Sequence, residues 1–178
     1  LNVADKNIIK EYDENLVNMK PYNIANITAD ALITKEKGIF IYQKFADCIP
    51  FTVFDKKQNI LVFSHLGLQS VIQNLHIDII NELVSSYNCQ LDNLKCYLGP
   101  SIKKESYLKK IEDKIILKQW GNFLEKKDND LYSIDMQGYV VHCLTEMDIN
   151  KENIEVSEID TYEDKRYFSH YRSKNDLN

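Results

Sequence analysis

Apolar positions along the chain recur with two periods, and the switches between them mark out the elements. Residues 7–12 (NIIKEY) read as a short strand, followed by a polar, Asn-rich stretch with Pro21 over residues 13–27 that reads as a long loop. Period-two or continuous apolar runs then predict strands over residues 31–34, 38–45 (GIFIYQKF), 49–54 (IPFTVF) and 60–64 (ILVFS). Asp55-Lys56-Lys57-Gln58-Asn59 has the length and polarity of a hairpin turn. From Leu68 the period changes: Leu68, Val71, Ile72, Leu75, Ile79 and Leu83 fall on one helical face, which predicts a helix over residues 68–87. Residues 93–98 return to strand and Gly99-Pro100 stops them. Helices are predicted over residues 106–120 and 131–146, the second capped from Asp128-Asn129-Asp130. A late strand alternates apolar and acidic residues over 152–159. Interleaved strands and helices with hairpin signals predict an α/β (α+β) fold in one domain: a mixed, mainly antiparallel sheet covered by helices.

Composition narrows the picture. The 178 residues suffice for one compact domain with a sizeable core, so a single domain over 1–178 is expected. Hydrophobic residues at 44% and charged residues at 28% exclude disordered and fibrous classes. Twenty-two basic against 27 acidic residues leave a net charge of −5, which argues against nucleic acid or an anionic membrane as partner. No apolar run approaches the roughly 18 residues of a membrane span. Cys48, Cys89, Cys96 and Cys143 show no CxxC spacing, which predicts reduced thiols and a cytoplasmic setting. The chain starts at Leu1 rather than Met, so a missing N-terminal portion is expected. Glycine is too scarce for a phosphate-cradling loop, and Arg166 and Arg172 are the only arginines.

Candidate chemistry centres on Ala46-Asp47-Cys48-Ile49-Pro50 and on His65. A hairpin closing across residues 55–59 pairs Phe54 with Ile60. Followed back along both strands, that register brings Cys48 within one residue of facing His65, with opposed positions about 5 Å apart. A thiolate and an imidazole at that range can share zinc or copper, or form a nucleophile–base pair. A buried cysteine beside a hydrogen-bonded histidine satisfies the same spacing.

Four segments, taken in order, carry a resemblance: Thr28 to Thr34, Phe45 to Pro50, Ser64 to Ser70 (SHLGLQS) and Leu98 to Ile102 (LGPSI). Together they resemble the YfiH-like laccase-domain family, labelled multicopper polyphenol oxidases and associated with purine nucleoside phosphorolysis and adenosine deamination. The resemblance runs from about Asn2 to Arg172. It implies a metal-linked transferase or hydrolase acting on a purine nucleoside, with phosphate as co-substrate and zinc or copper as cofactor. It assigns metal ligation to Cys48 and His65, orientation of the site to Asp47, and approach to the substrate to His170 and Arg172.

The same comparison exposes departures. Ala4 stands where the family's first ligand histidine is expected, so weak or absent metal binding is implied. HAGWRG has become HLGLQS, with Gln69 in place of the arginine, and the late Cys-Thr element reads Asp160-Thr161. Two further readings therefore stay open: a non-catalytic remnant that binds a partner or a nucleoside, and an amidase or deamidase using Cys48 with His65. His170 is the first choice for a substitute ligand, ahead of Asp47. His76 is expected as a boundary histidine and His142 as a packing residue, since adjacent helical positions point about 100° apart.

Overall fold

The computed structural model describes residues 7–12, 27–128 and 130–175. Strands β1 (Ile9–Glu11), β2 (Ala31–Thr34), β3 (Ile49–Asp55) and β4 (Ile60–Leu66) lead into helices α1 (Leu68–Ile72) and α2 (Leu75–Tyr87). Then come β5 (Leu94–Leu98), β6 (Leu108–Lys110), α3 (Lys114–Trp120), β7 (Leu124–Asp128), β8 (Leu131–Ile134), α4 (Met136–Glu146), β9 (Ile154–Val156) and α5 (His170–Asn175). Six strands form one sheet in the order β1-β2-β4-β3-β5-β9, and β6-β8-β7 form a second. The outer pairs β1/β2 and β5/β9 are parallel and the inner ones antiparallel, giving the mixed, mainly antiparallel α/β fold.

The inner hairpin is the frame. Odd positions of β3 and even positions of β4 are buried, placing Phe51, Val53, Val62 and Leu66 in one core with Val71, Leu75 and Ile79 of the helices. The opposite face of the same strands, with Pro50, Thr52, Phe63 and His65, is half-buried. The hairpin closes because Asp55 Oδ1 accepts the backbone N–H groups of Lys57 and Gln58 at 2.8 and 3.1 Å, and Asn59 takes the left-handed conformation at φ 52°.

Several sequence expectations are corrected. Residues 38–45 alternate in exposure as a strand would, yet join no ladder. The predicted helix over 68–87 is two helices, broken where Asn74 adopts φ 63°. Residues 106–120 hold a strand and a seven-residue helix, because the Lys-rich sequence has too few apolar positions to bury a longer one. Residues 131–146 split likewise into β8 and α4, and the cap is Asp135, not 128–130. Its Oδ1 accepts from Gly138 N at 2.8 Å, and a Cβ at Gly138 would meet the same carboxylate at 2.2 Å. The late strand is shorter than predicted, confined to Ile154–Val156.

Candidate functional site

Cys48 immediately precedes β3, and His65 is the penultimate residue of β4. The ladder sets Pro50 opposite His65 and Asp55 opposite Ile60, one residue out of step with the register predicted from the turn. Cys48 therefore lies two residues beyond the partner of His65. Because side chains alternate along a strand, that offset keeps the two on one face. Gly67 completes the juxtaposition: a Cβ there would sit 3.3 Å from Cys48 Sγ and 3.5 Å from His65 Cε1. Thiol and imidazole thus both lie against Gly67, where a side chain would crowd the sulfur. The His65 ring packs 5.3 Å from the ring of Phe45, and the His65 backbone N–H donates to Asp30 O at 2.9 Å, tying β4 to the chain entering β2.

Asp47 holds the other wall. Its backbone adopts φ 82°, unusual for a residue with a Cβ, and three contacts keep it there. Its carbonyl accepts from Ile102 N at 3.0 Å, Oδ1 accepts from the Thr161 hydroxyl at 2.9 Å, and Oδ2 accepts from Tyr171 N at 2.7 Å. Asp47 therefore binds the start of β3 to the C-terminal segment. Arg172 serves the same segment: Nη1 donates to Thr161 O and Tyr162 O at 2.8 and 2.5 Å, and Nη2 to Tyr167 O at 2.7 Å. His170 opens α5 and is exposed.

Tyr107 lies beside this group, and reading its stretch as helix concealed it. It is 9% exposed and packs edge-to-face on Tyr171 at 5.7 Å. Burial, then the charges of Cys48 and Asp47, push its phenol pKa up, so it is a neutral O–H group. Burial pushes the thiols of Cys89 and Cys96 up to about 12 and raises that of Cys143 as well. His142 is exposed and stacks on Phe123, a packing role. His76 is fully buried, a correction to the boundary position expected from its place beside the Leu75/Ile79 face.

Among the described residues no three His, Cys, Asp or Glu side chains converge as a metal group. A catalytic zinc takes three protein ligands plus water, so Cys48 and His65 alone do not fit one. Ala4, at the position of the missing ligand, lies outside the described residues. No helix among the described residues is long and apolar enough to cross a membrane.

Residues 4–177 match the family model of the multi-copper polyphenol oxidoreductase laccases. The chain belongs to this family. The solved structures of YfiH from Bacillus licheniformis and YlmD from Geobacillus stearothermophilus share the laccase-family fold seen here. Their TM-scores are 0.81 and 0.83 at 18% and 16% identity, over 96% of this chain and 67% and 66% of theirs. A purine nucleoside phosphorylase of Staphylococcus saprophyticus is 26% identical over 161 residues, 87% of this chain. The chain spans 59% of the length of that relative.

Proposed function

We propose that this chain acts on a purine nucleoside beside Cys48 and His65, with phosphate as the second substrate. The observation that carries the reading is the meeting of the Cys48 thiol and the His65 imidazole beside Gly67. These two residues fall on the family motifs, and a curated relative is named a purine nucleoside phosphorylase. In phosphorolysis a phosphate oxygen bonds to C1′ of the ribose as the bond from C1′ to the base nitrogen breaks. The electron pair leaves with the base, which takes up a proton. The His65 imidazole is the group placed to give that proton. Cys48 lies beside the imidazole, both against Gly67. Asp47 orients the wall through Thr161 and Tyr171 rather than by touching the substrate.

A second reading, binding without turnover, is favoured by a specific feature. Gln69 replaces the family arginine, and the guanidinium of Arg172 donates to three backbone carbonyls.

The test is a nucleoside panel (adenosine, inosine, guanosine) incubated with the full chain, with and without phosphate. Free base and ribose 1-phosphate should form only when phosphate is present, and His65→Ala should abolish them. Binding of nucleoside without any product would favour the second reading. Neither binding nor product, together with rapid iodoacetamide labelling confined to Cys48, would replace both with the cysteine-nucleophile amidase.

A further inference from the structure

Proton transfer to a departing base needs an imidazole that is aimed as well as near. The χ2 torsion of histidine is broad and two-fold, so rotamer preference alone leaves the ring free to swing about its Cβ–Cγ bond. A neighbour has to hold it, and Phe45 is in contact. The Phe45 ring centroid lies 5.3 Å from that of His65 with 33° between the planes, much nearer to an offset stack than to an edge-on meeting. Phe63, two residues before His65 on the same face of β4, meets Phe45 from another side, edge-on at 5.7 Å and 75°. The Phe45 ring therefore rests on two neighbouring side chains of one strand. Its placement is not inherited from a ladder, because residues 38–45 join none. It comes from these two ring contacts and from Asp47 two residues later. There φ 82° and the bonds to Ile102, Thr161 and Tyr171 fix the end of the segment.

We infer that Phe45 is a positioning residue, whose ring fixes the orientation of the His65 imidazole beside Cys48. The inference rests on the nucleoside reading above and names the part that aims its proton donor. With the plane held, Cε1 of His65 is turned toward Gly67: a Cβ there would lie 3.5 Å from it and 3.3 Å from Cys48 Sγ. The two ring nitrogens flank Cε1, so the setting of the plane decides where each of them points. A flat ring restrains the tilt of that plane, which a branched aliphatic chain of similar volume does not. The restraint bears on rate, because a group misplaced by about 1 Å can cost on the order of 10²-fold. Loss of aim without loss of binding lowers kcat and leaves KM in place.

The experiment compares wild type, Phe45→Leu and Phe45→Tyr in the full chain, by the proton resonance of His65 Cε1–H and by phosphorolysis kinetics. The chain has four histidines, and His65→Gln identifies the signal by its disappearance. Phe45→Leu keeps apolar bulk and removes the flat ring. The resonance should leave its ring-current-shifted position, and kcat should fall about tenfold with the nucleoside KM within about twofold. Phe45→Tyr should recover most of both. Phe63→Leu takes away the ring behind Phe45 and should move both readouts the same way by less, which keeps the test open if Phe45→Leu does not fold. An unmoved His65 resonance or an unchanged kcat in Phe45→Leu overturns the inference, as does a rise in KM alone. A displaced resonance, with nucleoside bound and no product even from wild type, sinks the reading of function and leaves the orienting contact standing. Phosphorolysis by wild type with the resonance unmoved in Phe45→Leu does the reverse.

Discussion

The two sheets of this molecule use their side chains in opposite ways. In the β3–β4 hairpin every second residue is fully buried, and Phe51, Val53 and Val62 have no exposed surface at all. In the β6-β8-β7 sheet the edge strands LKK and LEKKD carry no buried residue, and only Ser133 and Ile134 of β8 are buried. The first sheet supplies rigidity and the second supplies charge. The candidate site lies at the seam, where Asp47 ties the hairpin to the C-terminal segment and Tyr171 ties that segment to β6. The thiol and imidazole of this site come from the buried hairpin, whose packing fixes their positions.

The largest effect should fall on the hairpin. Phe51→Ala empties a fully buried position and should cost about 3–5 kcal/mol, read by urea unfolding. Tyr132→Ala, at a half-buried position of β8, should cost about 1 kcal/mol. Equal costs would mean that the small sheet contributes to the core far more than its burial indicates.

A pH effect of similar scale belongs to the helices over the hairpin. His76 is fully buried, and neither ring nitrogen has a hydrogen-bond partner among the described residues. Tyr139 packs on it edge-to-face at 6.1 Å. Burial holds its pKa down at about 4, against an ordinary 6.5. The folded state therefore favours the neutral ring. Stability is full above pH 6.5, falls as the pH drops from there toward 4, and the loss reaches up to about 3 kcal/mol. His76→Leu should flatten that acid limb in urea midpoints between pH 7 and 4, while an unchanged slope would assign it to carboxylates.

Those contrasts also explain what the sequence disclosed. The hairpin was legible because burial on one face writes a strict alternation into residues 49–55 and 60–66, and Cys48 and His65 came with it. The register was off by one because an Asx turn at Asp55 shifts the closure, which period alone does not encode. The small sheet was misread because its strands are exposed, so Lys109 and Lys110 sit where no apolar period marks them. Tyr107, buried just before β6, fell inside the stretch 106–120 read as one helix. Asp47 was found by its motif, but its partners Thr161 and Tyr171 lie more than 110 residues away and left no local signal.

Next in size comes the seam itself. Asp47→Ala removes the acceptor of both the Thr161 hydroxyl and Tyr171 N, and should cost about 2–3 kcal/mol. Asp47→Asn keeps one carbonyl oxygen and should recover part of it. Hydrogen exchange should accelerate in α5 and around residues 161–171 while β3 and β4 stay protected. Uniform acceleration through the hairpin would show that Asp47 supports the core rather than joining two parts.

The smallest effect is expected on the charged face of the second sheet. Glu125 accepts from Lys127 and is paired with Lys104 at 3.0 Å, and these lysines hold its carboxyl below the usual carboxylate range. Water reaches Glu125 freely, its side chain being about half exposed, so the field of both ammonium groups is screened. The favourable contact is offset by ordering three long side chains. Glu125→Gln should therefore leave the urea midpoint within the scatter of replicate measurements at physiological salt, and lowering the salt should separate the two proteins only slightly. A clear loss of stability at high salt would mean that this pair is shielded from solvent. The small sheet would then be a second structural unit rather than a solvated surface.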